Sequence, residues 1–434
     1  MRKRGIIIIK REKSATEEVD TTTDYYVHPA FTNESSIGYA NGGWDKELTG
    51  IWVAKFEVGY ASENNSAPVK ASSVNYSQSD SWTAYIEAGT KDNSSQPARN
   101  WLDGIYGSTR TAIKYPTFQP ITYSMNYINA NDAYNVSRTL TESGNIYGLS
   151  SSTTDSHLMK NSEWGAVAYL CYSEWGAVPM TNGAGILNSS PWYYYNLYTG
   201  QGPKSDSDEG MYSYDATHNY STSNGVLSST TRNVTGVYDM AGGAWERVAG
   251  YLDNSNGNLE YYGKSDDGTI QYFQNGKLNS RYASLWDSYE VSEEEKNNKI
   301  TLSDGTVETG LWDGSKTALK YQEARYKLTK YNYDHMANHK GIGVNEVSST
   351  FAFYAPSGTN GNWNWFTSAA NAVSGSAGYG YAWDGDLTLI GHLACPFVRR
   401  GGDCASGSGT GVLSSNIADG YPDYNSGFRA ALVV

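Results

Sequence analysis

Cysteine is scarce in this chain, and its scarcity argues against a disulfide scaffold and against a cysteine metal site. Only Cys171, Cys395 and Cys404 occur among the 434 residues. Three cysteines are too few for a disulfide scaffold, and their spacing does not match a CxxC metal pattern. Cys395 and Cys404 are close enough to pair across a hairpin, but two buried free thiols explain them equally well. The redox compartment of the protein therefore stays open.

Positive charge is also sparse. The formal net charge is −13, and charged residues make up only 18% of the chain. Proteins that bind a phosphate backbone need clustered Lys and Arg to displace its counterions. The composition therefore predicts no nucleic-acid partner.

Long apolar runs are missing as well. The basic residues 1–4 are followed by an apolar stretch at residues 6–9. That stretch is too short for a membrane span or for the hydrophobic part of a signal peptide. We therefore expect no membrane span in this chain, and no export signal is visible. The start is interpreted as a truncated or unusual terminus, or as a first strand.

Uncharged polar and aromatic residues are abundant instead. The chain has 37 Tyr, 13 Trp and 46 Gly, and 39% of its residues are hydrophobic. Disordered chains are poor in aromatic residues, and a chain of this length can bury a sizeable core. The composition therefore predicts a globular protein.

We divide the chain into an N-terminal tail or edge segment at residues 1–24 and a main domain at residues 25–434. Residues 252–345 differ in composition from their surroundings, which predicts an insertion or a subdomain within the main domain. Turn sequences at residues 266–268 and 304–305 predict two hairpins there. Residues 290–296 and 316–333 have helical character.

Periodicity predicts few regular elements outside this insertion. Alternating apolar and polar residues favour a half-buried strand at residues 50–58. Helices are expected at residues 130–147 and 159–172, and the second carries an apolar stripe at three- and four-residue spacing. Residues 181–235 are expected to form long ordered loops. From about residue 345 to the end we expect short strands joined by wide loops, without a helix.

Three short motifs carry a family resemblance. Residues 236–246 read Gly-Val-Tyr-Asp-Met-Ala-Gly-Gly-Ala-Trp-Glu, residues 400–402 read Arg-Gly-Gly, and residues 427–429 read Gly-Phe-Arg. In this order they resemble elements of the formylglycine-generating-enzyme, or sulfatase-modifying-factor, family. The likeness covers residues 25–434 except the insertion, and it is to the non-catalytic bacterial and phage surface proteins that carry this domain.

The resemblance implies an α+β protein with the C-type-lectin-like fold of that family, built from short strands, few helices and long ordered loops. It also implies that the motif residues determine the fold. They are Asp239, Trp245, Glu246, Arg400, Gly401, Gly402, Gly427, Phe428 and Arg429.

Four of these motif residues carry a charge, namely Asp239, Glu246, Arg400 and Arg429. Charged side chains inside core-like motifs are buried only when they are paired. We therefore predict that at least one buried ion pair joins an acidic residue and an arginine of this set. Large buried area is expected from the aromatic motif residues.

The cysteines bear on enzymatic activity. The oxidase members of the family bind copper with two cysteines between the Arg-Gly-Gly and Gly-Phe-Arg motifs, and such a soft site needs both thiolates. Here that interval holds only Cys404, because Cys395 precedes it. A neighbouring His392 is not enough to predict a nucleophile and base pair. We expect no enzyme activity and no cofactor, with a copper- or cysteine-dependent oxidase as the alternative.

Two further patterns are compatible with metal binding. His335 and His339 have a spacing that suits zinc, but a third ligand is not evident, and a solvated helix face is the preferred interpretation. Asp-rich turns at residues 205–209 and 265–268 suit calcium, which C-type-lectin-like folds often bind, and equally suit plain surface turns. Calcium therefore stays open, and no metal ligand is assigned.

The loops near the end of the chain have the composition of binding loops, with much Tyr, Trp, Ser and Gly. In the family the interval between the last two motifs lies at the ligand face, and it varies in relatives served by diversity-generating retroelements. The residues with most potential for exposure are Trp363, Trp365, Tyr379, Tyr381, Trp383, Asp403, Ser406, Ser408, Tyr421, Asp423, Tyr424 and Asn425.

These observations favour a non-enzymatic ligand-binding protein or adhesin. Planar Trp and Tyr faces suit a protein or glycan ligand on another cell or surface. We expect an extracellular location, on a cell surface or a phage virion, and a diversity-generating-retroelement variable protein is one form of this hypothesis. A structural pilin-like or virion subunit is a second alternative to it.

Overall fold

A computed structural model provides the coordinates. The described residues are 8–10, 25–27, 29–31, 44, 48–59, 116, 118–120, 124–125, 130–145, 147–171, 176, 199–202, 216–253, 273–274, 277–278, 285–290, 299–301, 305, 307–309, 352–357, 362–365, 380–381, 387–388, 397–403, 411–412, 414–418, 420 and 426–434.

Two α-helices and many short strands make up the described part, which is an α+β arrangement. The helices are α1 (Ala130–Arg138) and α2 (Asn161–Cys171). The strands are β1 (Ile8–Lys10), β2 (Tyr25–Val27), β3 (Trp52–Val53), β4 (Asp155–Leu158), β5 (Trp245–Asp253), β6 (Phe273–Gln274), β7 (Lys277–Leu278), β8 (Asp287–Glu290), β9 (Lys299–Thr301), β10 (Val307–Thr309), β11 (Ala352–Ser357), β12 (Asn362–Trp365), β13 (Gly380–Tyr381), β14 (Leu387–Thr388), β15 (Phe397–Arg400), β16 (Ser415–Ala418), β17 (Ser426–Phe428) and β18 (Ala430–Val433).

The largest described sheet has nine strands, with β5 as its longest. Eight strands follow the order β12-β11-β13-β14-β16-β15-β5-β17, and β8 joins by pairing with β5. Along β5, β15 runs antiparallel, whereas β17 and β8 run parallel. Three strands from distant parts of the chain therefore meet on β5.

The core lies around β5, because pairing on both of its edges removes its backbone from water. Val248 and Tyr251 are buried within it. Trp286, directly before β8, stacks on Tyr134 of α1 with ring centroids 5.3 Å apart and lies 6.2 Å from the ring of Phe397. Aromatic packing thus joins the first helix to the large sheet.

A three-stranded sheet, ordered β3-β18-β4, has β18 at its centre. β18 is antiparallel to both neighbours. Between β17 of the large sheet and β18 of the small one lies a single residue, Arg429. The chain therefore passes from one sheet to the other at that arginine.

The second predicted helix is confirmed as α2. Its apolar stripe of Trp164, Val167, Ala168 and Cys171 is buried, and so is Glu163. A carboxylate buried beside the stripe requires partners, and these are described with the site below.

The first predicted helix is shorter than expected. α1 ends at Arg138, and a 3-10 turn follows at Thr139–Thr141. The Thr139 hydroxyl donates to the Val136 carbonyl at 2.7 Å, a side-chain bond that competes with helix continuation. Gly144 then takes a positive φ of 84°, which turns the chain away.

The strand predicted at residues 50–58 is also shorter, since ladder pairing is confined to β3. After it, Phe56, Glu57 and Val58 are all buried instead of alternating. Glu57 points into the protein because it has buried hydrogen-bond partners there, the Ser124 hydroxyl and the Ala244 amide. A buried polar network has replaced the expected solvent face.

The hairpin predicted at residues 304–305 is confirmed. β9 and β10 are antiparallel, and Gly305 between them has a positive φ of 83°. Glu290, the predicted start of a helix, lies instead in β8. The rest of that predicted helix, the helix at residues 316–333 and the turn at residues 266–268 lie outside the described residues.

Two other predictions, of ordered loops at residues 181–235 and of short strands from about residue 345 onward, are confirmed where they fall on described residues. Residues 216–235 form turns and 3-10 helices at Ala216–His218 and Gly225–Ser228, as expected for ordered loops. From residue 352 onward, every regular element described is a short strand. Strand β1 lies in the predicted tail and pairs with β2, at the start of the predicted main domain. Among the described residues, no helix is long and apolar enough to cross a membrane.

Substitution of glycine by alanine should distinguish the free-energy cost of backbone strain from the cost of crowding around the new Cβ. Gly401 has a φ of 90°, and a Cβ there would lie 3.1 Å from the Met240 carbonyl oxygen. We expect Gly401→Ala to lower the free energy of unfolding by about 2 kcal/mol. Gly305→Ala, with a positive φ but no described atom within 4 Å of the new Cβ, should cost about 1 kcal/mol.

Gly50→Ala is the control, because Gly50 has neither a positive φ nor a described neighbour within 4 Å of the new Cβ. Urea denaturation of the three variants measures the series, and Gly50→Ala should stay within about 0.5 kcal/mol of the wild type. Equal stability of Gly401→Ala and Gly50→Ala would contradict the packing of the Arg-Gly-Gly motif described here.

Candidate functional site

The structure brings the three sequence motifs together around one residue of β5. Glu246, the last residue of the motif at residues 236–246, is the register partner of Arg400 on β15 and of Gly427 on β17. The Arg-Gly-Gly and Gly-Phe-Arg motifs therefore flank the first motif on opposite edges of the same strand. We call the group of Glu57, Asp239, Glu246 and Arg429 at this place the carboxylate–arginine cluster.

Arg429 is the centre of the carboxylate–arginine cluster. Its Nη2 lies 2.6 Å from Oε1 of Glu246 and its Nε lies 3.0 Å from Oε2, so the pair is bidentate. The remaining donors reach the Ala54 and Tyr238 carbonyl oxygens, each at 2.7 Å. Both charged side chains are 0% exposed. The predicted buried ion pair among the motif residues is thereby confirmed.

The other two carboxyl groups of the cluster are held by main-chain amides. Asp239 accepts the Gly200 amide at 2.8 and 3.0 Å. Glu57 accepts the Ala244 amide at 3.2 Å and a hydrogen bond from the Ser124 hydroxyl. Asp239 has a positive φ of 62°, a conformation that aspartate tolerates better than most residues.

Three buried carboxyl groups lie near one arginine here, and the pKa values of all three are raised. Burial raises the pKa of Glu246 to about 7 and that of Asp239 to about 6, although the Arg429 charge acts in the opposite direction. Burial also raises the pKa of Glu57 well above its ordinary value, and repulsion from Glu246 and Asp239 adds to it. Part of the cluster is therefore protonated near neutral pH.

The Arg-Gly-Gly motif packs against the first motif through its backbone. The Gly401 carbonyl accepts the Gly242 amide at 3.0 Å, and the Gly401 amide donates to the Ser414 carbonyl at 3.2 Å. The Arg400 guanidinium is fully buried and donates to the side-chain oxygen of Asn161 at 3.0 Å. These contacts attach the motif to the start of α2 as well as to the turn of the first motif.

The aromatic motif residues supply the buried area expected of them. Trp245 and Phe428 are 2% and 0% exposed. The Arg399 guanidinium lies over the Trp245 ring, 5.4 Å from its centroid. Nearby, the Trp164 indole donates to the Val412 carbonyl at 2.8 Å, which anchors the interval that follows Arg-Gly-Gly.

The prediction that Asp403 is exposed is wrong, because its side chain is only 5% exposed. Asp403 directly follows the Arg-Gly-Gly motif. Because that motif packs on the first motif, Asp403 lies inside the protein. Further along the same interval, Gly411, Val412 and Ser414 are buried too. Only the rest of the interval remains a candidate for a binding surface.

Of the other predicted binding residues, three lie in strands rather than in loops. Trp363 and Trp365 belong to β12, where they are the register partners of Pro356 and Tyr354. Tyr381 belongs to β13. The remaining candidates lie outside the described residues: Tyr379, Trp383, Ser406, Ser408, Tyr421, Asp423, Tyr424 and Asn425.

The cysteine and metal candidates lie mostly outside the described residues as well. These are Cys395, Cys404, His392, His335, His339 and the Asp-rich turns at residues 205–209 and 265–268. Cys171 is described, and it is a buried free thiol whose pKa burial raises. A thiol with a raised pKa is a poor nucleophile. The described residues contain no group of three or more His, Cys, Asp or Glu side chains that could hold a metal ion.

Sequence reasoning missed a second polar group, which we call the histidine cluster: the buried His157 and Glu163 with the partly exposed Arg138 and Asp155. The His157 ring contacts Asp155 at 2.7 Å through Nδ1 and Glu163 at 3.0 Å through Nε2. Arg138 reaches the other Asp155 oxygen at 2.5 Å. The signal that could have found it is the pair Asp155 and His157 on alternate residues of β4, followed by Glu163 next to the buried Trp164.

Charge decides the protonation of His157. Burial alone lowers its pKa, but the Glu163 charge and the hydrogen bonds to Asp155 and Glu163 outweigh burial and raise the pKa to about 9. The protonated ring also lies edge-on to Trp44, with ring centroids 5.1 Å apart. His157 thus belongs to a structural ion network at neutral pH and is not a poised general base.

No protein-family model matches the chain, and no curated protein matches it.

Removal of the central arginine should be costly. Arg429→Met leaves Glu246 buried without its bidentate partner, so we expect a loss of about 3–5 kcal/mol in the free energy of unfolding. Arg138→Met is the matched control, because Arg138 and Asp155 are 32% and 30% exposed and such pairs contribute about 1 kcal/mol or less. Chemical denaturation at neutral pH measures both, and equal losses would contradict the central role of Arg429.

The histidine cluster should make stability depend on pH. Because the folded-state pKa of His157 is raised from 6.5 to about 9, its contribution is complete below pH 6.5 and is lost as the pH rises through about 9. The loss should be about 3 kcal/mol. Unfolding free energies of the wild type and of His157→Gln across this range measure it. Identical pH profiles would show that His157 is not protonated in the folded protein.

Proposed function

We propose that this chain is a non-enzymatic binding protein or adhesin, built on a formylglycine-generating-enzyme-like domain with a C-type-lectin-like fold. It presents its loops to a protein or glycan ligand on another cell or surface. Its place of action is outside the cell, on a cell surface or a phage virion. A diversified variable protein is one form of this proposal.

The observation that carries the proposal is the common anchor of the last two motifs. Arg400 and Gly427 are both register partners of Glu246. The chain therefore leaves its pairing with β5 after residue 400 and pairs with β5 again from residue 426. Strand β16 pairs with β15 inside this interval and holds its middle on the sheet. Binding loops are most often segments of this kind, positioned by a rigid scaffold.

The roles of the motif charges support binding over catalysis. Glu246 and Arg429 bind each other, Asp239 binds the Gly200 amide, and Arg400 binds Asn161. All are buried, and each has a structural partner. An active site would instead present such groups to a substrate. These residues support the scaffold, while recognition is proposed for residues 404–410 and 421–425 and for the aromatic residues at 363–383.

Aromatic truncation tests this surface. We expect Trp383→Ala and Tyr424→Ala each to weaken binding about tenfold or more, as aromatic anchors of an interface do. The probe is a printed glycan array followed by titration of the best-bound glycan, with a panel of bacterial surface proteins as its second arm. Trp52→Ala is the control, because Trp52 is 67% exposed on β3 and belongs to neither proposed loop region. Its binding should equal that of the wild type.

Unfolding midpoints for all three variants confirm that the fold is intact. Unchanged binding by Trp383→Ala and Tyr424→Ala, together with lost binding by Trp52→Ala, would move the site to β3. Metal analysis tests the oxidase alternative. Copper bound in stoichiometric amount to purified protein, and lost in Cys404→Ser, would contradict a non-enzymatic role.

A further inference from the structure

Lys160 and Asp287 form a further buried ion pair, in addition to those of the carboxylate–arginine cluster and the histidine cluster. Nζ of Lys160 lies 3.4 Å from Oδ1 of Asp287, and both side chains are 0% exposed. The two residues are far apart in the chain, since Lys160 directly precedes α2 and Asp287 begins β8. Desolvation of two opposite charges costs several kcal/mol each, and mutual attraction often fails to offset it.

Both residues are held next to β5 by backbone pairing. Lys160 forms a parallel β-bridge with Ala249, and Asp287 is the register partner of Gly250, the next residue of β5. The backbone therefore fixes the amine and the carboxyl group beside each other. Fixed neighbours of this kind can react with effective molarities of about 10⁵–10⁸ M when their geometry is suitable.

The surroundings of the pair match the needs of acyl transfer. The Ser162 amide donates to Oδ2 of Asp287 at 2.7 Å and is placed to stabilise negative charge on that oxygen. The Trp44 ring covers Nζ of Lys160, 4.5 Å from the ring centroid, and helps to exclude water. Burial raises the pKa of Asp287, and the nearby Glu163 charge adds to this, so the uncharged carboxyl form becomes accessible.

We propose that Lys160 and Asp287 condense spontaneously to an intramolecular amide, a covalent cross-link between the start of α2 and β8. One proton passes from the Lys160 ammonium group to the Asp287 carboxylate, which leaves a neutral amine beside a neutral carboxyl group. The amine attacks Cγ, and Oδ2 carries the negative charge of the tetrahedral intermediate against the Ser162 amide. Oδ1 departs as water with two protons that the ammonium group originally carried.

The products are one amide and one water molecule, and no oxidant or co-reactant is consumed. Glu163 is proposed as the proton relay, since its carboxylate accepts the Lys160 main-chain amide at 2.9 Å and acts electrostatically on Asp287. The cross-link would close a covalent loop over residues 160–287. It would also replace two buried charges by one neutral amide. It stands independently of the proposed binding function.

Mass spectrometry of the full-length chain tests the cross-link. The denatured protein should be lighter than its sequence mass by one water molecule. Trypsin should leave the bond after Lys160 uncut, because the amine is blocked. Residues 139–204 should then appear in one branched peptide with residues 282–296.

Variants assign the bond to its two residues. Lys160→Arg and Asp287→Ala should each have the full sequence mass, whereas the control Lys55→Arg should keep the loss of water. Asp287→Asn should still react, with loss of ammonia in place of water, and should give the same cross-linked mass as the wild type. Glu163→Gln should slow formation of the bond.

Two results would overturn the proposal, and neither depends on the folding of a variant. One is a wild-type chain of full sequence mass that yields residues 139–160 and 282–296 as separate peptides. The other is a loss of water without the branched peptide, which would indicate succinimide formation at an Asp-Gly sequence elsewhere.

Discussion

The ion pair between Glu246 and Arg429 is the interaction on which the described structure depends. Arg429 lies at the point where the chain leaves the nine-stranded sheet and enters the three-stranded one. Its guanidinium binds Glu246 of β5, the Ala54 carbonyl next to β3 and the Tyr238 carbonyl. Its own carbonyl accepts the Met159 amide at 3.0 Å, just beyond β4. One side chain and its backbone thus join both sheets.

The same interaction creates a charge imbalance that the protein resolves with protons. Three buried carboxyl groups face one arginine, and burial raises the pKa of each of them. A carboxyl group with a raised folded-state pKa contributes stability below its ordinary pKa, and that contribution is lost as the pH rises through the raised value. For Glu246 this window runs from 4.5 to about 7. The carboxylate–arginine cluster therefore favours folding at mildly acidic pH, in the same direction as His157.

Much of this centre could be predicted from sequence, because the motifs themselves hold residues that burial makes costly. Charged residues beside Trp245 and Phe428 must be paired, and the pairing of Glu246 with Arg429 follows that rule. The apolar stripe of α2 and the turn at Gly305 could also be predicted, because each depends on residues that are near one another in the sequence.

What the sequence did not reveal depends on distant partners. Glu57 looked like the polar face of a strand, but its partners Ser124 and Ala244 come from other segments. Asp403 looked like part of a polar loop, and only the packing of Gly401 on the first motif carries it inward. The Lys160 and Asp287 pair depends on register along β5, which no local pattern encodes.

If Glu246 and Arg429 act as one structural unit, a double-mutant cycle of the two residues will show it. The unfolding free energies of Glu246→Gln, Arg429→Met and the double variant give the coupling energy between the two side chains. We expect a coupling of about 2 kcal/mol or more, because the second substitution removes a group already left unpaired. Losses that add to within about 0.5 kcal/mol would contradict it.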